Sequence, residues 1–347
     1  MTRVASPRIR TYSRPECDVC GAEGQVLYEN VSDRIWCVPG QWNVRRCSQS
    51  TCGTLWLDPA PVPEDLHRLY QDYYTHQSAP NLPGWMTFLF LRVQQTYWSW
   101  RYGYEPAALG WRRLFIALAW LHPGLREWFD LNVMYLPREK RGRLLDIGCG
   151  NGDFLARMRD LGWTVRGIEP DGVAVESALT RGLEVRWGML EPDAYDERSF
   201  DVVTLNHVIE HVPNPAEVLA CCHRILDHQG WLIISTPNAR SWCHRRFGRD
   251  WLCLEPPRHL NIFTISSMKR LAESAGFHVR SAVTTTRNID GTYLASRQLR
   301  RSDRYRFGTV SPLSARLFMQ VVYLMAWLST KFVPELGEEI IIVMEKR

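Results

Sequence analysis

Residues 143–152 read Arg-Leu-Leu-Asp-Ile-Gly-Cys-Gly-Asn-Gly, and this stretch decides the architecture. An apolar run containing Asp146 breaks after Ile147 into glycines at 148, 150 and 152, with Cys149 between the first two. A helical pattern opens at about Asp153. A strand, a glycine turn and a helix in succession begin a βαβ unit. Glycine lets the backbone turn tightly and approach a ligand with no Cβ in the way. Outward from this loop, apolar runs recur at 164–169, 183–187, 200–205, 231–235 and 278–284, separated by helical patterns. Residues 339–344, Glu-Ile-Ile-Ile-Val-Met, read as a last strand. The predicted fold is α/β, with a doubly wound, mainly parallel sheet.

The glycine spacing selects the ligand. Counted from Gly148, the dinucleotide fingerprint Gly-x-Gly-x-x-Gly needs its third glycine at 153, where this chain has Asp153. A carboxylate there would face a pyrophosphate across the helix N-terminus, where anion sites want only donors. Asp146 near the strand end, and Glu169 at the end of the next strand, instead suit a cationic, phosphate-free nucleoside whose ribose hydroxyls Glu169 accepts. Two rivals belong to other classes. A nicotinamide-dependent enzyme shares the strand–glycine–helix start but not the residue at 153. A cofactor-binding interaction protein would keep the loop and need no base.

These residues resemble the class I S-adenosylmethionine-dependent methyltransferases. Asp146, Gly148, Gly150 and Gly152 match the family's first motif, with Cys149 inside it, and Glu169 matches its ribose-binding acid. Phe200-Asp201-Val202-Val203 followed by Asn206 matches the fourth strand, whose exit faces the sulfonium and the substrate. The resemblance implies a seven-stranded sheet with an antiparallel last strand, which gives 339–344 its place. It also implies S-adenosyl-L-methionine as cofactor. The chain departs from the pattern twice. Trp231 replaces the second glycine of the usual turn after Asp227-His228-Gln229-Gly230, and Gly188-Met189-Leu190-Glu191 lacks the adenine-binding acid. Met189 and Leu190 are expected to sandwich the adenine instead.

A histidine–acid cluster follows the fourth strand: Asn206-His207-Val208-Ile209-Glu210-His211. His207, Glu210 and His211 fall at i, i+3 and i+4, hence on one face if the turn is helical. His259 stands in a proline-stiffened loop, Glu255-Pro256-Pro257-Arg258-His259. A similar His-x-x-Glu-His turn occurs in the small-molecule and ubiquinone-type branch of the family. His259 and His207 are expected as bases ahead of His211, since an imidazole titrates near neutrality. Three His and one Glu could alternatively hold Zn²⁺, Fe²⁺ or Mn²⁺.

Cys17-x2-Cys20 and Cys47-x4-Cys52 form two thiolate pairs, the arrangement of a closed, structural tetrahedral zinc. The chain of 347 residues thus divides into a zinc ribbon (1–60), an aromatic-rich helical cap (61–141), the cofactor-binding core (142–285), a helical insertion (286–337) and the last core strand (338–347). Of the 51 residues from Trp85 to Tyr135, 14 are aromatic, and Phe115, Leu118, Ala119 and Leu121 suit amphipathic helices. With 45% hydrophobic and 23% charged residues, the chain is not disordered, and a net charge of +5 without a like-charged block makes nucleic acid an unlikely partner. Ten cysteines without a secretory h-region read as a cytoplasmic location. Peripheral membrane contact through Trp- and Arg-rich helices stays open. The expected activity is methyl transfer, most readily to the oxygen of a small-molecule, glycan or lipid-linked acceptor. C- or N-transfer is the alternative.

Overall fold

Strands buried on both faces need unbroken apolar runs, and those runs build the centre of this molecule. The computed structural model describes residues 9–70, 84–104, 123–305 and 313–347. Its strands are β1 (Thr11–Tyr12), β2 (Gly24–Val31), β3 (Trp42–Cys47), β4 (Leu55–Asp58) and β5 (Ala60–Pro61), then β6 (Arg143–Ile147), β7 (Thr164–Glu169), β8 (Val185–Trp187) and β9 (Phe200–Asn206). There follow β10 (Leu226–Pro237), β11 (Asn261–Ile262), β12 (Phe277–Thr285) and β13 (Glu339–Lys346). Seven of them form one sheet in the order β12-β13-β10-β9-β6-β7-β8. The pairs from β8 to β10 are parallel, whereas β13 runs antiparallel to both β10 and β12. The sheet is thus doubly wound, seven-stranded and mainly parallel.

Alternate residues serve opposite faces. Leu144, Val202, Ile233 and Ile341 point to one face, where they pack with Leu155, Met158, Phe129 and Leu136. Leu145, Val203, Ile234 and Ile342 point to the other, against Leu219, Met268 and Leu271. Each such fully buried side chain contributes about 1.5–3 kcal/mol. The aromatic stretch covers the first face through helices Gly84–Tyr102 and Pro123–Asn132. There the hydroxyls of Tyr97 and Tyr102 donate to Asp130 at 2.8 and 2.7 Å, and Trp98 donates to the Phe129 carbonyl. Phe115, Leu118, Ala119 and Leu121 lie outside the described residues.

The cysteine region forms a second sheet, ordered β11-β4-β3-β2, and its last strand comes from inside the 142–285 segment. Asn261 and Ile262 pair with Trp56 and Leu55 because the outer edge of β4 otherwise presents unpaired backbone groups. In the 286–337 segment stand the helices Ile289–Ser302 and Leu313–Phe332. The second buries Met319, Val322, Tyr323 and Ala326 and exposes Phe318, Val321, Met325 and Leu328. Among the described residues no helix is long and apolar enough to cross a membrane.

Candidate active site

The glycine loop joins β6 to the helix Asp153–Asp160, and all three of its glycines have positive φ: 73° at Gly148, 54° at Gly150 and 80° at Gly152. A Cβ on Gly148 would lie 2.4 Å from Val208, and one on Gly152 would lie 2.4 Å from Leu183. Gly150 differs, since a Cβ there would meet no heavy atom within 4 Å. Its backbone is therefore open to close approach from outside. The Gly150 amide donates to Glu169 Oε2 at 2.8 Å, and the Asp171 amide donates to Oε1 at 3.0 Å. These bonds fix the buried carboxylate at the end of β7. On the neighbouring strand Asp146 accepts from the Thr204 hydroxyl at 2.7 Å. Burial pushes Asp146 up to about 7, the Thr204 bond pulls against it, and the charge of Glu169 adds to the rise.

Two buried acids on adjacent strands favour a cation. The helix N-terminus beyond them repels an anion, because Asp153 stands there, held by Asn151 and by Arg181 at 2.6 Å. Asn206 is exposed at the end of β9. Met189 is half exposed, and Leu190 is half-buried against the core face of Leu145. Sequence reasoning missed Trp187, which is 71% exposed at the end of β8 and donates its indole N–H to the Pro170 carbonyl beside Glu169. Its signal was a large ring at a strand end, next to the strand that Glu169 ends.

The histidine cluster is divided rather than shared on one face. Ile209–His211 form a single 3-10 turn, while His207 precedes it with a φ of 56°. His207 Nδ1 lies 3.1 Å from Glu210 Oε1, and Nε2 lies 3.2 Å from Glu339 Oε1. The enclosed setting disfavours a charged ring, but the two carboxylates outweigh it and push His207 up to about 10. Glu210 is fully buried and would be raised by that alone, yet His207 brings it down to about 2. Against the expectation of a ring titrating near neutrality, the two carboxylates favour the protonated form of His207, while the Arg287 guanidinium, 3.3 Å from Nε2, opposes it. Arg287 donates to both oxygens of Glu339, balancing the second acid.

His211 and His259 are instead each bound to a backbone carbonyl. His259 Nδ1 lies 2.7 Å from the Cys253 carbonyl, and His211 Nδ1 lies 3.1 Å from the Arg258 carbonyl. A carbonyl only accepts, so each Nδ1 carries a proton and each Nε2 is the ring nitrogen left for another partner. Tyr70 Oη also stands 3.1 Å from His211 Nδ1. Burial, with His259 beside it, holds His211 down to about 4. The two rings meet edge to face at 4.7 Å. Ligand atoms of Glu210, His211 and His259 all lie within 4.8 Å of one another, a trio that excludes His207 from the expected four-residue set.

The loop that carries His259 is anchored from the ribbon side. Arg258 is fully buried and donates to Asp33 and Glu255, both at 2.9 Å, and the Leu260 amide donates to the Glu210 carbonyl at 2.8 Å. Tyr70, Arg258, Arg287 and Glu339 were all missed from sequence. The readable signal was Glu338-Glu339, two acids opening an otherwise apolar strand.

In the ribbon, Cys17, Cys20, Cys47 and Cys52 come together with their sulfurs mutually within 4.8 Å. None of the four is in a disulfide, and Gly21 and Gly53, each just after the second cysteine of a pair, take left-handed φ values of 72° and 66°. Four soft sulfur donors at one point are the set a tetrahedral zinc requires.

The chain matches the family described as Methyltransferase domain over residues 120–282. It is 35% identical over 166 residues to a ubiquinone biosynthesis O-methyltransferase of Burkholderia vietnamiensis, covering 45% of this chain and 69% of that one. The enzyme of the same name from Paraburkholderia phymatum is 31% identical over 180 residues, covering 49% and 75%. A solved S-adenosylmethionine-dependent methyltransferase from Thermotoga maritima is similar with a TM-score of 0.44 at 17% identity, covering 81% of this chain and 100% of that one. The segment matched to the family, 120–282, holds the glycine loop and its two acids, and the likeness to these relatives makes this protein a member of the class I S-adenosylmethionine-dependent methyltransferases.

Proposed function

We propose that this enzyme methylates a hydroxyl oxygen of a small-molecule, glycan or lipid-linked acceptor, with His259 as general base. The observation that carries the reading is the pair of imidazoles whose Nδ1–H groups are committed to carbonyls, leaving each Nε2 for another partner near the turn that follows β9. S-adenosylmethionine supplies an electrophilic methyl group when bound. Gly148, Cys149, Gly150 and Gly152 would cradle it, Asp146 and Glu169 would hold its cationic and ribose portions, and Asn206 with Met189 would line its rim. His259 takes the hydroxyl proton on Nε2 and passes positive charge towards Glu255, whose Oε2 lies 3.7 Å away. The His207–Glu210 ion pair fixes the turn and supplies negative charge next to His211, and neither member serves as base. Alignment provides most of the rate, on the order of 7–11 kcal/mol, and the base adds about 10²–10⁴-fold. The names of the similar Burkholderia and Paraburkholderia enzymes support oxygen as the target.

The test is mass spectrometry of cell extract incubated with enzyme and S-adenosylmethionine, which should reveal an acceptor heavier by one methyl group. His259→Ala should lower kcat on that acceptor about 10²–10⁴-fold with cofactor affinity nearly unchanged. Undiminished turnover by the variant would remove the base. A second reading is favoured by one observation, the convergence of Glu210, His211 and His259 donors within 4.8 Å: two histidines and a carboxylate also suit a divalent transition metal. It predicts a metal equivalent beyond the ribbon zinc that His259→Ala loses. The exposed stripe of Phe318, Val321, Met325 and Leu328 supports contact with a lipidic acceptor or a membrane surface.

A further inference from the structure

Between the ribbon sheet and the short helix Trp242–Phe247 lies a cleft of about 550 Å³ whose lining holds three arginines and no carboxylate. Arg46 reaches it from β3. It shares a strand face with Trp42 and Val44, which are buried in one cluster with Ala239, Cys243 and Phe247, so its side chain continues towards that helix. Arg245 reaches it from the helix itself. Both are exposed, and neither has an acidic partner among the described residues. Arg240 completes the set, braced by Glu335 at 2.5 Å and by the Ser50 carbonyl at 3.0 Å. At the back, buried His244 donates from Nδ1 to the Ala239 carbonyl at 2.6 Å and accepts the Tyr28 hydroxyl on Nε2 at 3.0 Å. That commitment leaves the Tyr28 oxygen facing a wall that is otherwise basic.

Guanidinium groups lining one cleft that holds no carboxylate favour an anion there, and their fork geometry matches a phosphoryl group. The location adds meaning. Thr236, whose hydroxyl donates to Glu210, is four residues from Arg240, so the two backbones are at most about 14 Å apart. We propose that the cleft is a phosphoryl-binding site that anchors a phosphorylated methyl acceptor, drawn from a nucleotide-linked or a lipid-linked diphosphate. The acceptor part of this assignment rests on the reading of Glu210, His211 and His259 as the transfer centre; the phosphoryl part stands without it.

The experiment is calorimetry on the full chain with three probes in the absence of turnover: inorganic pyrophosphate, UDP, and phosphatidylcholine vesicles carrying farnesyl diphosphate. Pyrophosphate should bind, and Arg46→Ala combined with Arg245→Ala should weaken it about tenfold or more while S-adenosylmethionine affinity stays as in the wild type. Tighter binding of UDP than of pyrophosphate assigns the nucleotide-linked source, and arginine-dependent vesicle binding assigns the lipid-linked one. If pyrophosphate does not bind, or binds the double variant equally well, the arginines serve only as countercharge to the neighbouring thiolate cluster and the proposal fails. If pyrophosphate depends on the arginines but His259→Ala turns over normally, the cleft stands and the transfer-centre reading is what has failed.

Discussion

Asp146 and Glu169 concentrate negative charge at the ends of two adjacent strands, and the glycine between them lets a ligand approach the backbone. Loss of the Glu169 carboxylate removes charge-assisted hydrogen bonds of about 1.5–3 kcal/mol. Calorimetry of Glu169→Ala should therefore show S-adenosylmethionine binding weakened roughly ten- to hundredfold, and Gly150→Val, forced into a φ of 54°, should bind more weakly still. Wild-type affinity in both variants would mean that the cofactor lies elsewhere. His207 supplies a pH signature. Its imidazole is raised in the folded state to about 10 from an ordinary value near 6.5, so the folded protein holds a proton that the unfolded chain releases. The stability this contributes is fully present below about pH 6.5 and is lost as pH rises towards about 10. Thermal unfolding followed from pH 6.5 to 10 should fall more steeply in the wild type than in His207→Gln, and equal slopes would contradict the ion pair.

Among the elements, legibility follows burial. β6 and β7 were readable because residues 144–147 and 167–169 are buried, even though Asp146 interrupts the first apolar run and Arg166 the second. β8 is shorter than its run because Leu183, though buried, belongs to the preceding turn. β10 begins at Leu226 rather than at 231, since the Asp227–Gly230 turn sits inside the strand as a register shift, with Gln229 at a φ of 58°. The pairing of β11 with the ribbon was not legible, because two residues carry no periodicity. Nor was the partner of His207: Glu339 lies 132 positions away and reaches it only because β13 inserts between β10 and β12. The ribbon yields its own prediction. Purified protein should carry one zinc per chain, and Cys47→Ser should lose it and expose the β4–β11 edge to hydrogen exchange, with cofactor binding kept. Folded, active protein without zinc would defeat this.

At the scale of the whole molecule, the ribbon and the core meet through a buried ion pair placed behind the candidate base. Arg258 and Asp33 are both almost without solvent exposure. Removing one member of such a pair leaves an unmatched buried charge and costs about 3–5 kcal/mol. Arg258→Met should lower the unfolding free energy by that amount, and adding Asp33→Asn should recover part of it. A loss in Arg258→Met below about 1 kcal/mol would mean that the junction is not held by charge. The same junction positions the loop that carries His259 against Glu210. The most direct measurement is nuclear magnetic resonance of the product formed in extract from methyl-¹³C S-adenosylmethionine, run in parallel with wild type and His259→Ala. The account predicts a methoxy carbon with the wild type, and a signal reduced about a hundredfold or more with the variant although it binds the cofactor normally. A labelled methyl on carbon or nitrogen, or an undiminished methoxy signal from the variant, would contradict it.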